Sequence, residues 1–172
     1  MNTSMSNYNK EHMAIAFLKG EAISTKHSVE LARFIKHRST AEAKALLEKI
    51  IVKKEAVPFK RYKRDLAHRT AIGPGRYPIN AAKAFLRLVK TAEANAQHKS
   101  LAAELEIVHC VAYGAVRSWH YGRKRRRKNK SATVELVVAE IAKDKKEKQG
   151  KHAASAASSK KESKTEKSED KK

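Results

Sequence analysis

The sequence predicts one domain of mixed helices and strands, followed by a tail that does not fold. Three observations predict it. Apolar residues recur at helical spacing in three segments between residues 24 and 99. Two β-prone apolar runs, Leu105 to Tyr113 and Thr133 to Ile141, flank a far more polar stretch. Residues 143–172 hold 11 Lys and 6 acidic residues and almost nothing large and apolar, so burial there cannot offset the entropy of ordering.

Residues 1–11 read as a flexible lead. Met13, Ile15 and Phe17 then alternate with Ala14 and Ala16, a short strand that ends near Gly20. Ser24 or Thr25 suits an N-cap, and Val29, Leu31, Phe34 and Ile35 carry a helix to about Arg38. Ser39 and Glu42 have capping-box spacing. Ala43, Leu46, Leu47, Ile50 and Ile51 form the apolar face of a second helix, which must stop before Pro58 because Val57 is pushed toward extended geometry. Residues 57–79 read as a connection with a tight turn at Gly73-Pro74-Gly75. Asn80 is positioned to cap a third helix with Phe85, Leu88, Val89, Ala92 and Ala96 on one side, running to about Lys99. Val134, Leu136 and Val138 share one face of the last strand. The final two strands form a hairpin across residues 105–141. Arms of about 14 residues reach about 46 Å at 3.3 Å per residue. A two-stranded ribbon that long is marginal in water and implies external support.

Charge narrows the function classes. Lys and Arg total 39 against 18 Asp and Glu, a formal net charge of +21 in 172 residues. Without the tail the first 142 residues still carry +16. Such an excess repels itself, and a phosphate backbone relieves it with release of counterions. A membrane surface would call for a basic amphipathic helix, and the sequence offers none. One cysteine cannot close an internal disulfide or build a multi-cysteine zinc site. No apolar run approaches the roughly 20 residues of a membrane span, and Met13 to Leu18 is too short for a secretory signal. The expectation is a soluble intracellular protein with a polyanionic partner and no membrane or small-molecule substrate.

Two segments carry the chemistry. Residues 117–130 contain Arg117, Arg123, Lys124, Arg125, Arg126, Arg127, Lys128 and Lys130, with no acid, preceded within the run by Trp119, His120 and Tyr121. Guanidinium groups pair bidentately with phosphates, and the aromatic trio suits stacking on unpaired bases. The bland alternative is a solvated loop. The second segment holds Lys60, Arg61, Lys63, Arg64, Arg69 and Arg76, opposed only by Asp65. A cationic, aromatic loop bracketed by prolines can lay several donors along one backbone. No catalytic constellation is readable. Cys110 reads as a buried structural thiol, His109 as a packed or surface side chain, and the eight histidines lack metal-ligand spacing. No cofactor is expected.

These residues also resemble a known family. Val57-Pro58-Phe59-Lys60-Arg61-Tyr62 is similar to a signature of the universal large-subunit ribosomal protein L-twenty-two family in its archaeal and eukaryotic form, closer to the archaeal. Gly75-Arg76-Tyr77-Pro78 with Ala81 to Leu86, Ala92-Glu93-Ala94-Asn95-Ala96, Ile23 to His27 and Ala32 to Ile35 resemble it in the same order, across residues 12–142. The resemblance implies an α+β fold: three helices packed on a small antiparallel sheet with a long protruding β-hairpin. It implies a non-enzymatic structural protein of the large subunit in the cytoplasmic ribosome. Its partners would be large-subunit rRNA, neighbouring ribosomal proteins and the nascent peptide, whose exit tunnel the hairpin tip would line. Both basic segments become the expected rRNA contacts. One departure stands out, because Arg123 to Lys128 is an unbroken cationic run without the Pro and Gly of related tips. The rivals are a basic DNA-architectural or chromatin protein, which shares the charge, and an RNA-processing enzyme.

Overall fold

The computed structural model describes residues 3–141. The expected 143–172 tail lies outside the described residues. In order, the elements are β1 (Met13–Glu21), α1 (Thr25–Ile35), α2 (Thr40–Ile51), β2 (Val57–Pro58), β3 (His68–Arg69), β4 (Gly73–Arg76), α3 (Ile79–His98), β5 (Leu105–Gly114) and β6 (Ala132–Glu140). Three helices and antiparallel sheets make the α+β fold that was expected.

The main sheet has the order β1-β6-β5, so the hairpin strands are also sheet strands, with β6 central. Met13 pairs with Ala139 and Leu105 with Glu140. α3 packs on β1, α2 on α3, and α1 on β5. The buried face of the sheet carries Val134, Leu136 and Val138, as the alternation predicts, together with Ile107 and Cys110. In β1 the buried residues are the small ones, Ala14 and Ala16. α3, which packs on β1, contributes the equally small Ala81, Ala82, Ala92 and Ala96 to the same core. Asn95 Nδ2 donates to the Ile15 carbonyl of this edge strand at 2.8 Å, which helps satisfy a strand edge that otherwise invites foreign pairing.

The helix ends differ from the expected ones for local reasons. α1 stops at Ile35 rather than Arg38, because His37 turns to a φ of 64°. Its N–H donates to the Ile107 carbonyl at 2.8 Å, and the Ile107 N–H donates to Arg38 O at 2.9 Å. The α1–α2 link thereby pairs with β5. Only half of the capping box forms. Ser39 Oγ accepts the Glu42 N–H at 3.2 Å, while the Glu42 carboxylate turns to an ion pair with Arg38. α3 is capped at Pro78, two residues before the expected Asn80, and the Ala82 N–H reaches Pro78 O at 2.9 Å.

The connection at 57–79 is itself a small sheet, ordered β2-β4-β3. Val57 pairs with Arg76, and Arg69 with Gly73. Gly73-Pro74-Gly75 therefore lies in the central strand and is not the expected tight turn. The reversal falls at residues 70–72, just before β4, with positive φ at Ala71 (67°) and at the first strand residue Gly73 (71°). A Cβ on Gly75 would sit 3.1 Å from both Arg69 Cγ and Ile72 Cδ1, so a bulkier residue there would force its neighbours to move.

Within the N-terminal segment expected to be flexible, several polar contacts form. Glu135, 3% exposed in β6, accepts from the Thr3 hydroxyl, from Ser4 Oγ at 2.7 Å and from the Ser4 N–H at 3.0 Å. These hydrogen bonds outweigh burial and hold its carboxyl below the usual range, although burial is the largest single influence and acts the other way. Lys99 Nζ donates to Met13 O at 2.8 Å and to Tyr8 Oη at 3.1 Å.

Candidate nucleic-acid interface

The regular β5–β6 ladder ends at the Gly114–Ala132 pair. Beyond it the two arms stay together through sparse bonds. Ala115 N–H donates to Ser131 O at 3.3 Å, Asn129 N–H to Ser118 O at 2.8 Å, and His120 N–H to Arg127 O at 2.9 Å. Trp119 and Lys128 form an isolated bridge. The apex is a 3-10 turn over Gly122–Lys124, opened by Gly122 at φ 60°. Left-handed backbone there suits the residue without a side chain.

This geometry sorts seven of the eight cations of the segment. Lys128 Nζ lies 4.4 Å from the centroid of the Trp119 ring, covering one face of that indole. Arg117 Nε donates to Asn129 O at 2.8 Å. Both side chains brace the hairpin. Arg123, Lys124, Arg125, Arg126 and Arg127 instead surround a concave surface at the apex with Gly122, and all five are exposed. Tyr121 is 94% exposed and Trp119 59%, whereas His120 is half-buried. The expected stacking trio is thus unequal, with Tyr121 the freest ring.

The second cluster lies on the small sheet and its loops. Lys60, Arg61, Lys63, Arg64, Arg69 and Arg76 are all exposed. Arg61 stands 5.3 Å from the Tyr62 ring and Arg69 5.5 Å from the Tyr77 ring, so aromatic faces hold their guanidinium groups. Arg64 Nε donates back to Lys60 O at 2.9 Å.

The two clusters meet at His27. Its ring packs edge-on against Phe59 at 5.5 Å. Among the described residues its buried Nε2 has no hydrogen-bond partner. Burial, and then the positive charges of Lys63, Arg76 and Lys130, hold its pKa below the ordinary histidine value. The loop cluster and the base of the hairpin therefore create one positive field. A folded pKa below the unfolded one means that the unfolded chain takes up the proton first. Stability is full above about pH 6.5 and falls as the pH drops through the folded value. NMR titration of the free chain is expected to find His27 ionising below the ordinary histidine value. Adding an RNA oligonucleotide should raise the His27 pKa by offsetting the lysine and arginine charges. A His27 that titrates at the ordinary value in the free chain would contradict this account.

Sequence reasoning missed part of this surface. Lys26 Nζ lies 6.0 Å from the Tyr62 ring, and Arg33, Lys36 and Arg38 share a groove with Lys60. They lie on or just after α1, where single charges read as an ordinary solvated helix face. Cys110 is buried, and burial pushes its thiol well above the usual range, making it a poor nucleophile. Among the described residues no group of three or more His, Cys, Asp or Glu is placed to hold a metal. No helix there is long and apolar enough to cross a membrane.

The comparisons with known proteins agree with this architecture. The family model for ribosomal protein L22p/L17e matches residues 16–139, from within β1 to within β6. The large ribosomal subunit protein uL22 of Methanoculleus marisnigri is 38% identical over 141 residues, which cover 77% of this chain and 92% of that protein. The uL22 of Ignicoccus hospitalis is 38% identical over 151 residues, covering 81% and 95%. That of Archaeoglobus fulgidus is 43% identical over 124 residues, covering 67% and 80%. The match takes in all three helices, the small sheet and the hairpin, and the chain belongs to the ribosomal protein L22p/L17e family, structural proteins of the large ribosomal subunit and not enzymes.

Proposed function

We propose that this chain binds large-subunit rRNA through its two cationic segments, supports assembly of the subunit, and lines the peptide exit tunnel with its hairpin tip. The observation that carries the reading is the apex, where five exposed cations stand together on a ribbon held by few hydrogen bonds. Outside a complex they repel one another, and phosphates on either side relieve that repulsion. Arg117, Lys128 and Lys130 stiffen or flank the ribbon. Lys60, Arg61, Lys63, Arg64, Arg69 and Arg76 anchor the globular part on a second stretch of backbone. Trp119, His120 and Tyr121 are the side chains offered to unpaired bases or to the nascent peptide, with Tyr121 the most available. Neighbouring large-subunit proteins complete the partner set.

Ultraviolet crosslinking in native cells, with sequencing of the attached RNA, tests this. Crosslinks are expected to concentrate on large-subunit rRNA, with residues 117–130 attached near the tunnel wall. Crosslinks scattered over many RNAs, or recovery of duplex DNA instead, would overturn the reading.

A further inference from the structure

The basic loop after β2 is held by an acid. Glu30, on the buried side of α1, is 2% exposed. Its Oε1 accepts the backbone N–H groups of Arg61 and Tyr62, both at 2.8 Å, and its Oε2 accepts that of Lys60 at 3.2 Å. Three consecutive amides therefore converge on one carboxylate, an arrangement that backbone amides otherwise offer to phosphates. The residue before them is fixed as well. Phe59 is 1% exposed, and its N–H donates to Pro74 O at 2.9 Å. With Phe59 seated in the core and the next three amides tied to α1, the backbone from 59 to 62 has little freedom. The side chains of Lys60 and Arg61 then have defined origins, with Arg64 bonded back to Lys60 O.

We infer that Glu30 is the positioning residue of the 60–64 contact loop: it carries no RNA contact itself but fixes the backbone from which Lys60, Arg61, Lys63 and Arg64 reach the phosphates. The inference rests on the reading of that loop as an rRNA contact. It makes a prediction opposite in sign to simple electrostatics. Removing a negative charge beside a cationic loop should tighten RNA binding through charge alone. If Glu30 acts by positioning, removing it weakens binding, because three amides lose their acceptor and the loop loses its shape.

The test uses the full chain and large-subunit rRNA transcribed from the same genome, at a temperature where circular dichroism reports every variant folded. Glu30→Ala is expected to bind about tenfold more weakly, roughly the effect of one lost hydrogen bond to a charged group. Glu30→Gln, which keeps the size and one acceptor oxygen, should fall between it and the parent. Hydrogen exchange at the amides of residues 60–62 should quicken in the same order. In a background where Lys60, Arg61, Lys63 and Arg64 are all Ala, Glu30→Ala should cost no further affinity, since coupled residues are not additive. Unchanged or tighter binding by both Glu30 variants would overturn the inference. So would an equal loss in both backgrounds, which marks general destabilisation. If the four-alanine background itself binds like the parent, the loop is no RNA contact, and the underlying reading fails instead.

Discussion

Replacing Arg123, Lys124, Arg125, Arg126 and Arg127 together with Ala is expected to weaken binding to large-subunit rRNA and to flatten its salt dependence at the same time. Each cation that meets a phosphate contributes about 0.7 to 0.9 to the slope of log affinity against log salt. If all five do so, the slope falls by roughly 3.5 to 4.5. Over the fourfold range from about 50 to 200 mM salt, the affinity gap between parent and variant should then narrow by roughly 130- to 500-fold. The free protein should keep its melting temperature, because the five side chains are exposed and contribute nothing to the core. Loss of five mutually repelling charges would, if anything, raise it. The slope is the deciding quantity. A fall in affinity with an unchanged slope would mean that the apex touches RNA without neutralising phosphates.

How far the sequence could be read depended on the length of each signal. The second and third helices have apolar faces of several residues, so Ala43 to Ile51 and Phe85 to Ala96 announce them. The hairpin was legible because two apolar strands flank a polar stretch, and its cationic tip because an acid-free run is visible at any resolution. The small sheet was not, because its strands are two to four residues long. No period develops over two residues, and Gly73-Pro74-Gly75 carries turn chemistry wherever it lies. The end of α1 was missed because a tertiary bond from His37 to Ile107 decides it. Glu30 was invisible for the same reason. On the α1 helix it reads as one more solvated acid, and its role exists only when residues 60–62, some 30 positions away, fold against it. In the candidate interface the cations clustered in the two basic runs were therefore legible, and the single cations on and after α1 and the carboxylate that orients the loop were not.

Phe59→Ala is expected to damage both stability and binding, and the two effects can be separated. The ring is almost fully buried in the core beside His27. Truncating a buried phenylalanine costs about 3 to 5 kcal/mol, a large share of the roughly 5 to 15 kcal/mol that holds a domain folded. For a domain of this length the melting temperature should fall by about 10 to 20 °C. Phe85→Ala, at a fully buried position in α3, should cost a similar amount. The pair then acts as a control. If Phe59 only filled space, both variants, measured with rRNA at a temperature where each is folded, would bind alike. Phe59 also follows β2 directly, where the basic loop departs, and its N–H holds the small sheet through Pro74. Its loss frees the backbone that Lys60 and Arg61 stand on, so Phe59→Ala should bind rRNA more weakly than Phe85→Ala at equal loss of stability. Equal binding by the two would mean that the loop takes its shape without the core, and that the aromatic residue preceding the cations serves packing alone.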